Sequence, residues 1–219
     1  MEPKGYYGFF VIPPPREMEN VQRIYAFDPD IGIRGASNPV VHMEETSKER
    51  IYWGDIHVHT RDFSDGCGSA RDAYWYMKEV SRLDFGGLGD HSFQGGFPTT
   101  EENPKGDMRI AEDEWPRVID IARDESIPGK FVGVPGYEWS GRVEWSPKEW
   151  SYPAVSDKTV HFPNYKKTNP LVYSNKSSGD TPQRLYAALK NADILIVTHS
   201  PAHMPMGTAW EEVNNEMEP

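Results

Sequence analysis

The chain reads as an α/β protein built from parallel βα units, and three observations point there. Strand-like and helix-like stretches alternate from residue 51 onward. The later strand candidates, such as Ile194-Leu195-Ile196-Val197, are continuous apolar runs, as expected of strands covered on both faces. Ligand-capable side chains gather where the strands end: His57, His59, His91, His161 and His199 account for five of the 7 histidines. In parallel βα folds the C-terminal ends of the strands carry the active site.

The stretch Trp53-Gly54-Asp55-Ile56-His57-Val58-His59-Thr60 organises the rest. Residues 51–59 alternate well enough for a strand, so Asp55, His57 and His59 share one face. Two imidazoles about 7 Å apart along a strand can turn toward one ion. Before it, residues 1–50 hold Pro13-Pro14-Pro15, Asp28-Pro29-Asp30 and Asn38-Pro39, a pattern of extended segments and turns. They are expected to form an N-terminal arm or the remnant of an upstream β-rich module, and His42 within them is not expected to be a ligand.

After the first strand, Ser69-Ala70-Arg71-Asp72 predicts a capping box opening a helix to about residue 83, with Ala73, Met77 and Val80 as its buried stripe. Residues 83–88 predict a second strand, ending in Gly89-Asp90-His91. A long loop follows over about 93–108. A helix is expected over 115–124, with Pro116 acceptable in its first turn. Residues 131–134 predict a third strand, leading into Pro135-Gly136-Tyr137-Glu138-Trp139-Ser140. Thr159-Val160-His161-Phe162 comes next, then a helix from Thr181-Pro182 to about 190 and a strand over 194–199.

Composition narrows the function. The net charge of −11 disfavours nucleic acid and anionic lipid as partners. No apolar run approaches the roughly 18 residues of a membrane span, and no signal peptide is evident, so a cytoplasmic location is expected. The single cysteine, Cys67, leaves no intrachain disulfide to form. Neutral imidazole and carboxylate are ligands for zinc, manganese or iron. Six or more such ligands imply two or more ions, an arrangement suited to hydrolysis.

Gly54-Asp55-Ile56-His57-Val58-His59-Thr60 with Ser64-Asp65-Gly66 resembles the first motif of the PHP (polymerase and histidinol-phosphatase) superfamily. Gly89-Asp90-His91 resembles its second, and Glu138, His161 and Thr198-His199 follow in the order of its later ligands. The wording of residues 50–55 and 135–140 looks closest to a PHP-like family of large proteins. The resemblance covers about residue 50 to the end. It implies a distorted (βα)7 barrel with two to three divalent ions in a cleft. Carried over position by position, His57, His59 and Glu138 hold a first ion, and Glu138 bridges to a second held by His161 and His199. Asp65 and His91 hold a third. The superfamily also carries a late Asp-x-His, which these 219 residues lack, and further βα units. The expectation is therefore an incomplete barrel, a chain lacking a C-terminal portion of the domain.

The implied activity is that of a metal-dependent phosphoesterase. Cations bind phosphate oxygens, and a water between two ions becomes a hydroxide nucleophile near neutral pH. Glu138, His199 and Arg61 are the residues expected to act most directly, Arg61 by binding substrate phosphate. Asp55 and Asp90 are expected to orient imidazoles rather than bind metal. The substrate would be a small phosphorylated or ester compound. Two alternatives stay open. Amidohydrolase barrels also begin with His-x-His, but lack an early Asp-His pair. A noncatalytic, metal-stabilised module could instead use Trp139, Trp145, Trp150 and Tyr152 to contact a partner.

Overall fold

A computed structural model describes residues 23, 25–37, 50–95, 107–108, 110–142 and 155–199. The chain divides into two units, Met1–Ile51 and Tyr52–Pro219. In the first, β1 (Tyr25–Phe27) and β2 (Arg34–Ala36) pair antiparallel. Their turn is held by Asp28, whose Oδ1 accepts from the Asp30 N–H at 2.9 Å, and by Gly32 at φ 71.

The second unit is mixed α/β. Its strands are β3 (Gly54–Val58), β4 (Phe85–Leu88), β5 (His91–Gly95), β6 (Asp107–Met108), β7 (Val132–Val134), β8 (Gly136–Arg142), β9 (Val155–His161) and β10 (Leu195–Thr198). Its helices are α1 (Ala70–Trp75), α2 (Trp115–Glu125) and α3 (Pro182–Leu189). One sheet has the order β3-β4-β7 and is parallel throughout. The other has the order β10-β9-β8-β5-β6; in it β5 runs parallel to β8, but β9 runs antiparallel to both β8 and β10.

The all-parallel expectation is corrected at β9 and at β6, which runs antiparallel to β5, and the described strands do not close into a barrel. A segment without a helical crossover can return antiparallel, and no helix separates β8 from β9 among the described residues. The second strand also runs on beyond its expected end. Only Gly89 and Asp90 separate β4 from β5, and only Pro135 separates β7 from β8. Each pair is close to one long strand with a bend, and the bend at Gly89 and Asp90 sets His91 level with Glu138, where the histidines and carboxylates converge.

The helices form where local chemistry placed them. Ser69 caps α1 by accepting from the Asp72 N–H, and Asp72 reaches back to the Ser69 backbone, the reciprocal pair expected there. Residues 70, 74 and 77 form the fully buried face, one position round from the expected stripe; Ala73 and Val80 flank it half-buried. The helix continues as a π-helical turn over Tyr76–Val80 and stops at Arg82, whose φ of 54 no helix accommodates. Gly86 lets β4 lie directly against this helix, because a Cβ there would strike the Met77 Sδ.

Pro116 sits in the first turn of α2, and Val118, Ile119 and Ala122 line its buried side. Leu185 and Leu189 of α3 complete the core with Tyr137, Val160 and Phe162. Burying each large apolar side chain contributes about 1.5–3 kcal/mol. The resulting rigid platform carries the site at its strand ends.

Candidate metal centre

Glu138, on β8, sits at the middle of the cluster with 2% of its surface exposed. Its Oε2 lies 3.3 Å from His57 Nε2 and 3.0 Å from His59 Nε2. Those two ring nitrogens are themselves 3.0 Å apart. Ligands about 2.1 Å from a common ion are separated by about 3 to 3.5 Å, so this triangle has the dimensions of a coordination face. His91 Nδ1 also approaches Glu138 Oε2, at 3.2 Å but without hydrogen-bond geometry. On its other side Glu138 Oε1 is 3.7 Å from His199 Nδ1.

Asp65 forms the second focus. Its Oδ1 accepts from His59 Nδ1 at 2.6 Å, and its Oδ2 lies 3.6 Å from His91 Nε2. Two groups of donor atoms, His57–Glu138–His199 and His59–Asp65–His91, are each close enough together to hold an ion. Six of the seven expected ligands are thus brought together from β3, the loop after it, β5, β8 and the end of β10. The edge strands β3 and β10 share no ladder, yet the His57 and His199 rings stand with centroids 4.7 Å apart.

The electrostatics fit a site for cations. Burial alone would raise Glu138, but hydrogen bonds to His57 and His59 and the charge of His91 hold it well below the usual carboxylate range. Burial pulls His59 down, and its bonds and charges with Glu138 and Asp65 outweigh this, pushing it up to about 9. Burial keeps His91 and His199 below the ordinary histidine value. A buried carboxylate ringed by imidazoles has the donor set of a zinc, manganese or iron centre, and the orphaned His91 Nδ1 is of the kind a metal satisfies.

The seventh expected ligand, His161, is not brought to the cluster. Because β9 runs antiparallel, His161 stands level with Gly136 and Leu195, at the far end of the ladder from His199. It is 1% exposed, and neither ring nitrogen has a partner. The ring fits there because Gly136 has no side chain; a Cβ would overlap Nδ1. Burial, with His57 nearby, lowers it to about 4.

Asp157 reaches the cluster instead. It is 4% exposed, its backbone oxygen accepts from the His199 N–H at 3.0 Å, and its Oδ2 lies 3.9 Å from His199 Nδ1. Its Oδ1 has no partner, and burial together with the Glu138 charge pushes it up to about 6. Sequence reasoning missed it because Asp157, Thr159 and His161 alternate onto one face of β9, and only the strand direction says which end meets the other ligands.

No protein-family model, curated protein or solved structure matches the chain. Residue roles must therefore come from this geometry. Asp90 accepts from the Thr60 N–H at 2.7 Å, Thr60 Oγ1 at 3.0 Å and Ser64 Oγ at 2.6 Å. It orders the loop that presents Asp65 rather than an imidazole. Asp55 accepts from the His57 backbone N–H at 3.0 Å and so fixes that strand's end. Arg61 is exposed on the same loop, anchored by its N–H to the Gly68 oxygen at 2.9 Å. Cys67 is exposed. His42, Trp145, Trp150, Tyr152 and His203 lie outside the described residues. Among the described residues no helix is long and apolar enough to cross a membrane.

Proposed function

We propose that the chain is a metal-dependent hydrolase of PHP type, a phosphoesterase acting on small phosphorylated compounds through two to three divalent ions. The fold reading that goes with it is a distorted (βα)7 barrel of PHP type. The observation that carries the proposal is the convergence of His57, His59 and His91 on the Oε2 of one buried carboxylate, Glu138, at 3.0 to 3.3 Å, with His199 3.7 Å from its Oε1 and Asp65 joined to the group through His59. A structural zinc site needs four ligands and closes around one ion; this arrangement offers more donors than one ion takes. Divalent ions held by these donors would supply Lewis acidity toward a phosphoryl oxygen and acidify a water.

The protein's own groups do the rest. Glu138 faces His57, His59 and His91 through one oxygen and His199 through the other, so it can serve two cations at once. Asp65 fixes the His59 ring through Nδ1, which leaves Nε2 as the donor directed into the cluster. Arg61, exposed on the loop that carries Asp65, is the cation we assign to the substrate phosphate, and the overall charge of −11 argues against polyanionic partners such as nucleic acid.

The test is hydrolysis of an aryl phosphate by the chelator-stripped chain, with and without added manganese or zinc. The proposal expects metal-dependent turnover that Glu138→Gln abolishes. Metal binding without turnover on any phosphoester would refute the hydrolase reading.

A further inference from the structure

We propose that Asp157 is itself a metal ligand, forming with Glu138 Oε1 and His199 Nδ1 a carboxylate-rich position for a hard divalent cation of the manganese or magnesium kind. This rests on reading the cluster as a metal centre, and it assigns that centre a donor no histidine pattern points to.

The surroundings of Asp157 support it. Asp157 is 4% exposed and its Oδ1 has no hydrogen-bond partner, an expensive state for a carboxylate unless a cation satisfies it. Its Oδ2 and the Glu138 Oε1 lie 3.9 Å and 3.7 Å from the same His199 Nδ1, and the Glu138 charge is felt at Asp157, so two carboxylates flank one imidazole. The Ser140 hydroxyl, level with Asp157 across the β8–β9 ladder, is close enough to ease the carboxylate's charge but lies outside hydrogen-bond geometry, so it leaves Oδ1 open to a cation. Lys158, the neighbouring cation, falls on the opposite face of β9 by strand alternation.

The donor set sets the preference. Glu138 Oε2 with His57 and His59 presents two nitrogens and one oxygen, which suits zinc or iron. Glu138 Oε1 with His199 and Asp157 presents one nitrogen and two oxygens, which suits manganese or magnesium. The register of β9 is what makes the difference, since the only histidine on that face, His161, lies four residues further along the strand.

The experiment uses the whole chain, stripped with chelator and dialysed against equal manganese and zinc. Bound metals are counted by elemental analysis, and manganese affinity is measured by electron paramagnetic resonance. The wild type should hold manganese beside zinc. Asp157→Asn should lose about one equivalent of manganese or bind it about tenfold more weakly or worse. Asp157→His should keep the total but exchange manganese for zinc. If Asp157→Asn fails to fold by circular dichroism, Asp157→His decides: manganese retained at the wild-type level overturns the proposal. Unchanged manganese content and affinity in folded Asp157→Asn overturns it too, while leaving the metal centre standing. A wild type that binds neither metal overturns both this proposal and the metal-centre reading.

Discussion

Replacing His161 with leucine should remove a pH-dependent weakness from the fold. Both His161 ring nitrogens are buried without partners, and burial lowers its pKa from 6.5 to about 4. Below pH 6.5 the unfolded chain takes up a proton at this side chain, whereas the folded chain does not until about pH 4. Stability is therefore complete above pH 6.5 and falls as the pH drops toward 4. At about 1.4 kcal/mol per pH unit, the difference amounts to roughly 3 kcal/mol, with a slope of at most about 1.4 kcal/mol per unit. Asp157 works in the opposite sense in the metal-free protein. Its pKa is raised from 3.8 to about 6, so its contribution is full below pH 3.8 and is lost as the pH rises through 6. Comparing His161→Leu with the wild type cancels that term and those of the other histidines. Urea unfolding in chelator, at steps from pH 4.5 to 7.5, should show the wild type weakening relative to the variant on acidification. Above pH 6.5 the variant should equal or exceed the wild type, since it no longer buries two unpaired nitrogens. It should also keep its full metal content when reloaded. Parallel pH profiles would show that His161 is partnered or solvated, and metal loss would restore it to the ligand set that the PHP resemblance implied.

Glu138→Gln should weaken metal binding most of any single change, by about a hundredfold or more, because one carboxylate faces four imidazoles; isothermal titration with manganese and zinc checks this, and near-normal affinity would mean that Glu138 is not a bridge. Asp90→Asn removes the charged acceptor of three hydrogen bonds that order residues 60–64, and should lower affinity at the His59–Asp65–His91 group about tenfold while the fold survives. The same titration with no change would assign Asp90 a purely structural role. Glu125→Ala should cost about 1–2 kcal/mol in thermal or urea unfolding, since Glu125 joins α1 to α2 through Arg71 and Lys78, both at 2.6 Å. An unchanged midpoint would show those ion pairs to be inert.

Part of the clustering is legible in the sequence, and the reason is local. His57 and His59 lie two apart on a strand, so alternation alone predicts a shared face, and the Ser69–Asp72 cap is a contact within one turn. Gly89-Asp90-His91 looks like a strand end in the sequence, but the chain bends there and continues as β5. What sequence could not supply was strand direction. Asp157 and His161 are equivalent by alternation, and only the antiparallel ladder, with His161 opposite Leu195 and Asp157 accepting from the His199 N–H, separates them. The role of Asp90 was hidden for a similar reason, because its partners Thr60 and Ser64 are distant in sequence and reach it only through the fold.

The count of ions per chain tests the central claim most directly. The chain should be stripped with chelator, reconstituted with manganese and zinc, freed of loose metal by gel filtration and measured by elemental analysis against protein concentration. The two adjoining groups, His57–Glu138–His199 and His59–Asp65–His91, predict more than one equivalent, approaching two to three. Less than half an equivalent would contradict the account, because so many donors around one buried carboxylate would then have no cation to hold.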